Sequence, residues 1–447
     1  MGDSSENWPE PVSSLQSMQL DLPPSCIEIC PSAPSYFLIG TYNLEGYEGP
    51  AAAVSQSTEA KEVEEKDEEH DDHDDSEATV IGEKKGPQNR DGSILTFQLV
   101  DDQLVHVQTL MQPSAILDLH FNPAPGKQDI CAAVSSTATL ALFRLSPGDA
   151  QPLKHLKTMD MASMCKTAED WLGDKDEVIF THFAWHPTKP DMVVVTTTAG
   201  YVHLIYLGED LDGGDWVMHP EPILTHTLEA WYVSISPSLS SPREEEDDSF
   251  LLLSGGDDSA LRYTVCKRTR SANAMGDDEE SQSPYNIEAL RPPLNVSRGH
   301  DAGVTAILAL GLKDDESELV VTGSYDDHIR LFSIPAYGFG RAVELAGSNL
   351  GGGVWRLKVV KEDMGLFEGR GWRLTILVSC MHAGARVVEL VKNGAGEYEF
   401  RVVGRFEEHK SMNYGSDCQL SKEGTLSAVS TSFYDKLLCL WKLELGA

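Results

Sequence analysis

Hydrophobic positions in this chain come in short β-rich runs rather than in helical stripes. CAAVSS, DMVVVTTT, FLLLSGG, LVVTGS, LTILVSC and LSAVSTS are bounded by turn residues, as expected of short buried strands. A tight turn and a second strand follow each run. That strand closes on a large residue, as in DGSILTF (Phe97), TATLALF (Phe143), GYVHLIY (Tyr206), DDSALRY (Tyr263), DDHIRLF (Phe332), HAGARVV (Val388) and LLCLW (Trp441). The units recur roughly every 45 to 70 residues, somewhat longer than a WD repeat. Six residues before the closing position stand Asp91, Thr137, Gly200, Asp257, Asp326, His382 and Asp435 in turn.

Strands at this spacing predict an all-β fold, a seven-bladed WD-repeat β-propeller. The unit ending at Trp441 lacks an outermost strand of its own, and the alternating segment SSLQSMQLD near the N-terminus is free to supply it. An N-terminal strand completing the last blade would latch the ring and leave few exposed edges. One domain is expected over residues 12–447. Residues 45–91 contain an acidic tract, KEVEEKDEEHDDHDDSE, expected to be a disordered insertion in the first blade. His70 and His73 there offer only weak chelation, and a solvated acidic loop is the plainer reading.

Charge narrows the function. A formal net charge of -36 opposes nucleic-acid binding, which needs clustered Lys and Arg, and opposes docking on anionic membranes. The N-terminus MGDSSENWPEP has no signal-peptide pattern, so a cytoplasmic protein is expected, and a monomer is expected separately from that. The scattered cysteines read as buried reduced thiols, and Cys26 with Cys30 lacks the second pair a zinc site needs. No metal and no cofactor is expected. G-x-S-x-G, the phosphate-binding loop and H-E-x-x-H are all missing from the sequence.

The histidines separate into two groups. His300 with Asp326 and His409 with Asp435 recur at identical separations, and His226 fits the same slot before Asp257. They read as structural networks between a loop His and a turn Asp. His382 occupies a turn position where sister blades carry Asp, and its blade has no preceding His (SNLGGGVW). It is a candidate acid/base, or else an idle surface residue. Aligning the inner strands puts Trp231, Thr305, Trp355 and Tyr414 at one height near the channel mouth. The aromatics there serve either core packing or a cage for a quaternary ammonium group. Lys358 and Asp417 align lower down, and GGGVW implies close backbone approach beside Trp355.

IGTYNL, EAWYVSIS, SGGDDSALR, TGSYDDHIRLF, LGGGVWRLK, SCMHAGARVVEL, HKSMNYGSD and STSFYDKLLCLW closely resemble the diphthine methylesterase family, the WD-repeat enzymes of diphthamide biosynthesis. The likeness is densest from Trp231 to Trp441. Cys418, where many relatives carry Trp, and the acidic tract depart from the family pattern. The resemblance implies hydrolysis of the methyl ester of methylated diphthine on translation elongation factor 2, releasing methanol and leaving diphthine for amidation. On that reading Trp231, Trp355 and Tyr414 hold the trimethylammonium group and His382 activates water. Arg356 or Lys358 stabilises the oxyanion, Asp417 orients a proton carrier, and Tyr434 completes the wall. A covalent route through Ser411 or Tyr434 is the mechanistic alternative. The functional alternative is a non-catalytic adaptor that presents elongation factor 2 or another protein.

Overall fold

A computed structural model describes residues 8–44, 90–162, 178–208, 211, 216–219, 221–236, 248–270, 285–296, 298–314, 317–337 and 340–446. The acidic tract, from 45 to 89, lies outside the described residues, as do the acidic segments 237–247 and 271–284.

Seven small antiparallel sheets form the ring, each starting from an inner strand. In chain order the inner strands are Pro24–Ile29, Ile116–Phe121, Phe180–Trp185, Ala230–Ile235, Val304–Asp314, Arg356–Gly365 and Gly415–Leu420, and they define blades 1 to 7. Blade 7 is completed by Ser14–Gln19, which pairs antiparallel with Leu437–Glu444, so the N-terminal latch expected from the sequence is present. The ring is stitched again where the Ile29 backbone N–H of blade 1 donates to Asp417 of blade 7 at 2.7 Å.

The apolar core lies between blades. Val321, Ile329 and Val354 of one blade and its edge pack with Val378 and Cys380 of the next. Both faces of a middle strand are therefore buried, which explains why those runs are continuously apolar rather than alternating. Cys26, Cys131, Cys380 and Cys439 are buried and unbridged in the blades.

The loop histidines hold the blades together with different partners from those expected. His409 Nε2 meets Ser430 Oγ at 3.1 Å, and the Trp441 indole N–H donates to the same oxygen at 3.0 Å. His300 Nε2 meets Thr322 Oγ1 at 2.8 Å. Neither histidine bonds the turn aspartate. Asp326 instead accepts from the backbone of Asp301 and from Arg330, and Asp435 accepts from Ser411 and Ser432. His226 does reach an aspartate, but it is Asp258, at 2.8 Å. The register explains this shift. Ser254 pairs with Arg262 as Thr322 pairs with Arg330, so Asp258, not Asp257, is the equivalent of Asp326.

Candidate functional site

Displaced from blade duty, Asp257 turns to the aromatic cluster. The Trp231 indole N–H donates to Asp257 at 2.6 Å. Trp231 lies 5.8 Å from Trp355, centroid to centroid, and Trp355 lies 4.9 Å from Tyr414. Tyr325, which the sequence reading did not single out, adds a fourth ring at 5.9 Å from Trp355. Trp231, Trp355 and Tyr414 are all only half-buried, so their faces stay available. The three aromatics expected together are together.

The wall continues from Tyr414 to Phe433 at 5.4 Å, and from there to Tyr434 and Tyr42. Tyr434 is 39% exposed, on the rim of a cleft of about 500 Å³ shared with Tyr42, Asn43 and Lys436. Burial pushes the Asp257 carboxyl up from its ordinary value, while the Trp231 hydrogen bond opposes the rise. The Trp355 indole N–H is buried with no acceptor among the described residues. An orphan donor of that kind needs an explanation.

Close approach at the glycines brings the His382 turn to this cluster. A Cβ on Gly352 would lie 2.7 Å from Ala383 Cβ, and one on Gly353 would lie 2.6 Å from Met381 Sδ. On the other side, the Asn413 backbone N–H donates to the Met381 carbonyl at 2.9 Å, next to Tyr414. His382 is exposed at the tip of that turn.

Arg356 connects the cluster to the channel. Its guanidinium sits 5.2 Å from the Trp355 ring and 5.3 Å from the Tyr232 ring. It donates to the Trp355 carbonyl at 3.0 Å and to Asp118 at 3.3 Å. Below it lies a pocket of about 300 Å³ lined by Glu28, Asp118, His120, Tyr232, Arg356, Lys358 and Asp417. Inner-strand side chains two residues apart share a face, which accounts for the pairs Asp118 and His120, and Arg356 and Lys358. Lys358 and Asp417, aligned in the sequence, form an ion pair with each other. Asp417 also accepts from the Cys418 backbone and is buried.

Asp118, His120, His182 and Glu28 form a network absent from the sequence reading. His120 lies between Glu28 at 2.8 Å and Asp118 at 3.1 Å. Burial disfavours its charged form, but the two carboxylates outweigh burial and raise its pKa to about 10. Burial would likewise raise Asp118, yet His120, Arg356 and His182 hold it well below the usual carboxylate range. His182 is pushed well below its ordinary value by burial, which Asp118 offsets only in part.

Asp118, His120 and His182 each offer one ligand atom, all within 4.8 Å of one another. A metal would need lone pairs from both imidazoles. The Val233 backbone N–H donates to His182 Nδ1 at 3.3 Å, which leaves the proton on Nε2, the atom facing Asp118. Both His120 nitrogens face carboxylates as donors. The trio suits an ion-paired carboxylate better than a cation.

The blade also answers for Ser411. Its hydroxyl donates to Asp435 at 2.8 Å and accepts from the Tyr434 backbone N–H at 2.8 Å. It caps a turn.

No protein-family model matches the chain. It is similar to proteins named diphthine methyltransferase from three organisms. Identity is 32% over 176 residues in Saccharomyces cerevisiae, covering 37% of this chain and 43% of that one. It is 34% over 143 residues in Schizosaccharomyces pombe, covering 32% and 38%, and 27% over 144 residues in Mus musculus, covering 32% and 26%. The match thus spans less than half the length of each relative. These similarities support the family resemblance read from the sequence motifs. The crystal structure of Chaetomium thermophilum Sqt1 bound to the N-terminus of the ribosomal protein L10 superposes over 97% of this chain and 100% of that one. Its TM-score is 0.50 at 11% identity, a likeness of fold alone. No helix among the described residues is long and apolar enough to cross a membrane.

Proposed function

We propose that this chain is a diphthine-modifying enzyme that hydrolyses the methyl ester of methylated diphthine on translation elongation factor 2 in the cytoplasm. The observation that carries the reading is the cluster of Trp231, Tyr325, Trp355 and Tyr414 with the Asp257 carboxylate at its edge. Aromatic faces and a partly desolvated carboxylate suit a quaternary ammonium ion, and the substrate's trimethylammonium group sits on the same carbon as its ester. The names of the three relatives point to the same modified residue.

With the ammonium group in the cluster, the ester carbonyl falls within reach of Arg356 and the unpartnered Trp355 N–H, two donors suited to a developing oxyanion. His382 on the adjoining turn takes a proton from water as its oxygen bonds to the carbonyl carbon. The bond to the methoxy oxygen then breaks, and His382 returns the proton to give methanol. The Lys358–Asp417 pair and the His120 network keep Arg356 and the channel floor in place. Tyr434 extends the wall toward the polypeptide that carries the modified residue.

The relatives' name, diphthine methyltransferase, favours a second reading, methyl transfer. Measuring methanol released from methylated-diphthine elongation factor 2, with and without S-adenosylmethionine, separates the two. Stoichiometric methanol without the donor supports hydrolysis, and incorporation of a donor-derived methyl group supports transfer. A protein that does neither while still binding the factor is the adaptor.

A further inference from the structure

Away from the channel, a cleft of about 900 Å³ opens at the outer edges of blades 4 and 5. Its lining joins Tyr263, residues 291–292, 294–296 and 298, and residues 340–342. Arg291, Arg298 and Arg341 all line it, and among the described residues no Asp or Glu does. That is a local inversion in a chain with 35 Lys and Arg against 71 Asp and Glu.

Arg291 is the anchor. Its guanidinium lies 5.2 Å from the Tyr263 ring and donates through one Nη to the Pro335 carbonyl at 3.0 Å. Its Nε and other Nη are buried with no hydrogen-bond partner. Leaving guanidinium donors buried and unpaired is costly, so the position is explained by an acceptor that arrives from outside. Arg298 and Arg341 are exposed on the rim. Glu344, on the strand after Arg341, faces Arg330 instead, at 3.9 Å.

We propose that this cleft is a docking site for an acidic peptide segment of a partner protein, one carboxylate of which pairs with Arg291 while others engage Arg298 and Arg341. Each unpaired donor of the guanidinium offers a carboxylate a charge-assisted hydrogen bond. The exposed apolar side chain of Leu294, 37% accessible, gives the peptide stem something to lie on. The overall negative charge excludes most anionic macromolecules from the surface, so a short local acidic segment fits where a nucleic acid does not. The proposal is independent of the reaction at the channel.

Fluorescence anisotropy of a short labelled peptide rich in Glu and Asp, titrated with the full chain, tests it. The expected result is saturable binding that is absent for the Gln- and Asn-substituted peptide and weakens steeply with salt. The double variant Arg298→Glu/Arg341→Glu, at exposed positions, should keep the wild-type melting curve and bind about tenfold or more weakly. Arg291→Lys should also weaken binding, since it keeps the charge but loses the planar set of guanidinium donors. Binding unaffected by the double charge reversal overturns the proposal. So does binding of a short RNA as tightly as the peptide. Binding that appears only after removal of residues 271–284 would show that the chain's own acidic segment fills the cleft, and would also overturn it.

Discussion

The Trp231 indole N–H donates to the Asp257 carboxylate at 2.6 Å, while the neighbouring Asp258 takes the His226 bond that holds the blade. Two consecutive aspartates therefore do different work. Asp257→Asn should weaken binding of a quaternary ammonium ion about tenfold, because it removes a desolvated negative charge and leaves the rings in place. Asp258→Asn should lower the melting temperature instead. Calorimetric titration with tetramethylammonium, alongside thermal melts, distinguishes the two effects, and equal losses from both variants would contradict this division.

Trp355→Ala removes the ring that touches Trp231, Tyr325, Tyr414 and the Arg356 guanidinium. KM for the modified factor should rise at least about tenfold, in the range of a desolvated cation–aromatic contact. An unchanged KM would mean that the ring only packs.

Arg356→Ala should act mainly on kcat, by about 10² to 10³, as expected for the loss of an oxyanion donor. Asp118→Asn should move kcat in the same direction by a smaller factor, since Asp118 is a positioning residue that holds the guanidinium at 3.3 Å. Arg356→Lys in steady-state assays tests whether charge alone suffices, and the fork geometry predicts that it does not.

His382→Ala should reduce kcat by about 10² to 10⁴, the usual contribution of a positioned base, and leave the melting curve unchanged because the side chain is exposed at a turn tip. Full turnover in this variant would remove His382 from the mechanism.

Stability should peak near neutral pH. His120 has a folded pKa of about 10, raised above its unfolded value, so its contribution is complete below about pH 6.5 and is lost as pH rises through 10. His300 and His409 are lowered by burial to about 4. Their folded state resists protonation, so stability falls as pH drops from about 6.5 toward 4. Thermal melts across pH should show both limbs, and His120→Gln should flatten only the alkaline one.

The repeat was legible because each blade carries a β-rich run, a turn and a large closing residue, and because SSLQSMQLD alternates as an edge strand does. The aromatic cluster was legible for a related reason: inner strands start at one height, so Trp231, Trp355 and Tyr414 align once the loop histidines are used as anchors. Asp257 was hidden by the choice of Tyr263 as the blade-4 anchor, whereas strand register is set by Arg262 opposite Ser254. The channel network was hidden more deeply. Asp118 and His120 sit two apart in ILDLHF, which signals a shared face, but Arg356 is 238 residues away from Asp118 and Glu28 is 92 away from His120. Only closure of the ring brings them together. His382 was visible as an exception to a repeat, and GGGVW signalled a close backbone approach beside Trp355, but that the approaching segment is the turn bearing His382 was not legible.

Intact mass analysis of the modified-histidine peptide of elongation factor 2 tests the central claim most directly. After incubation with the purified chain and no added cofactor, the account predicts a shift by the loss of one methylene, blocked by Trp355→Ala at low substrate and by Arg356→Ala throughout. An unchanged mass at any enzyme concentration, with the factor bound, would contradict it.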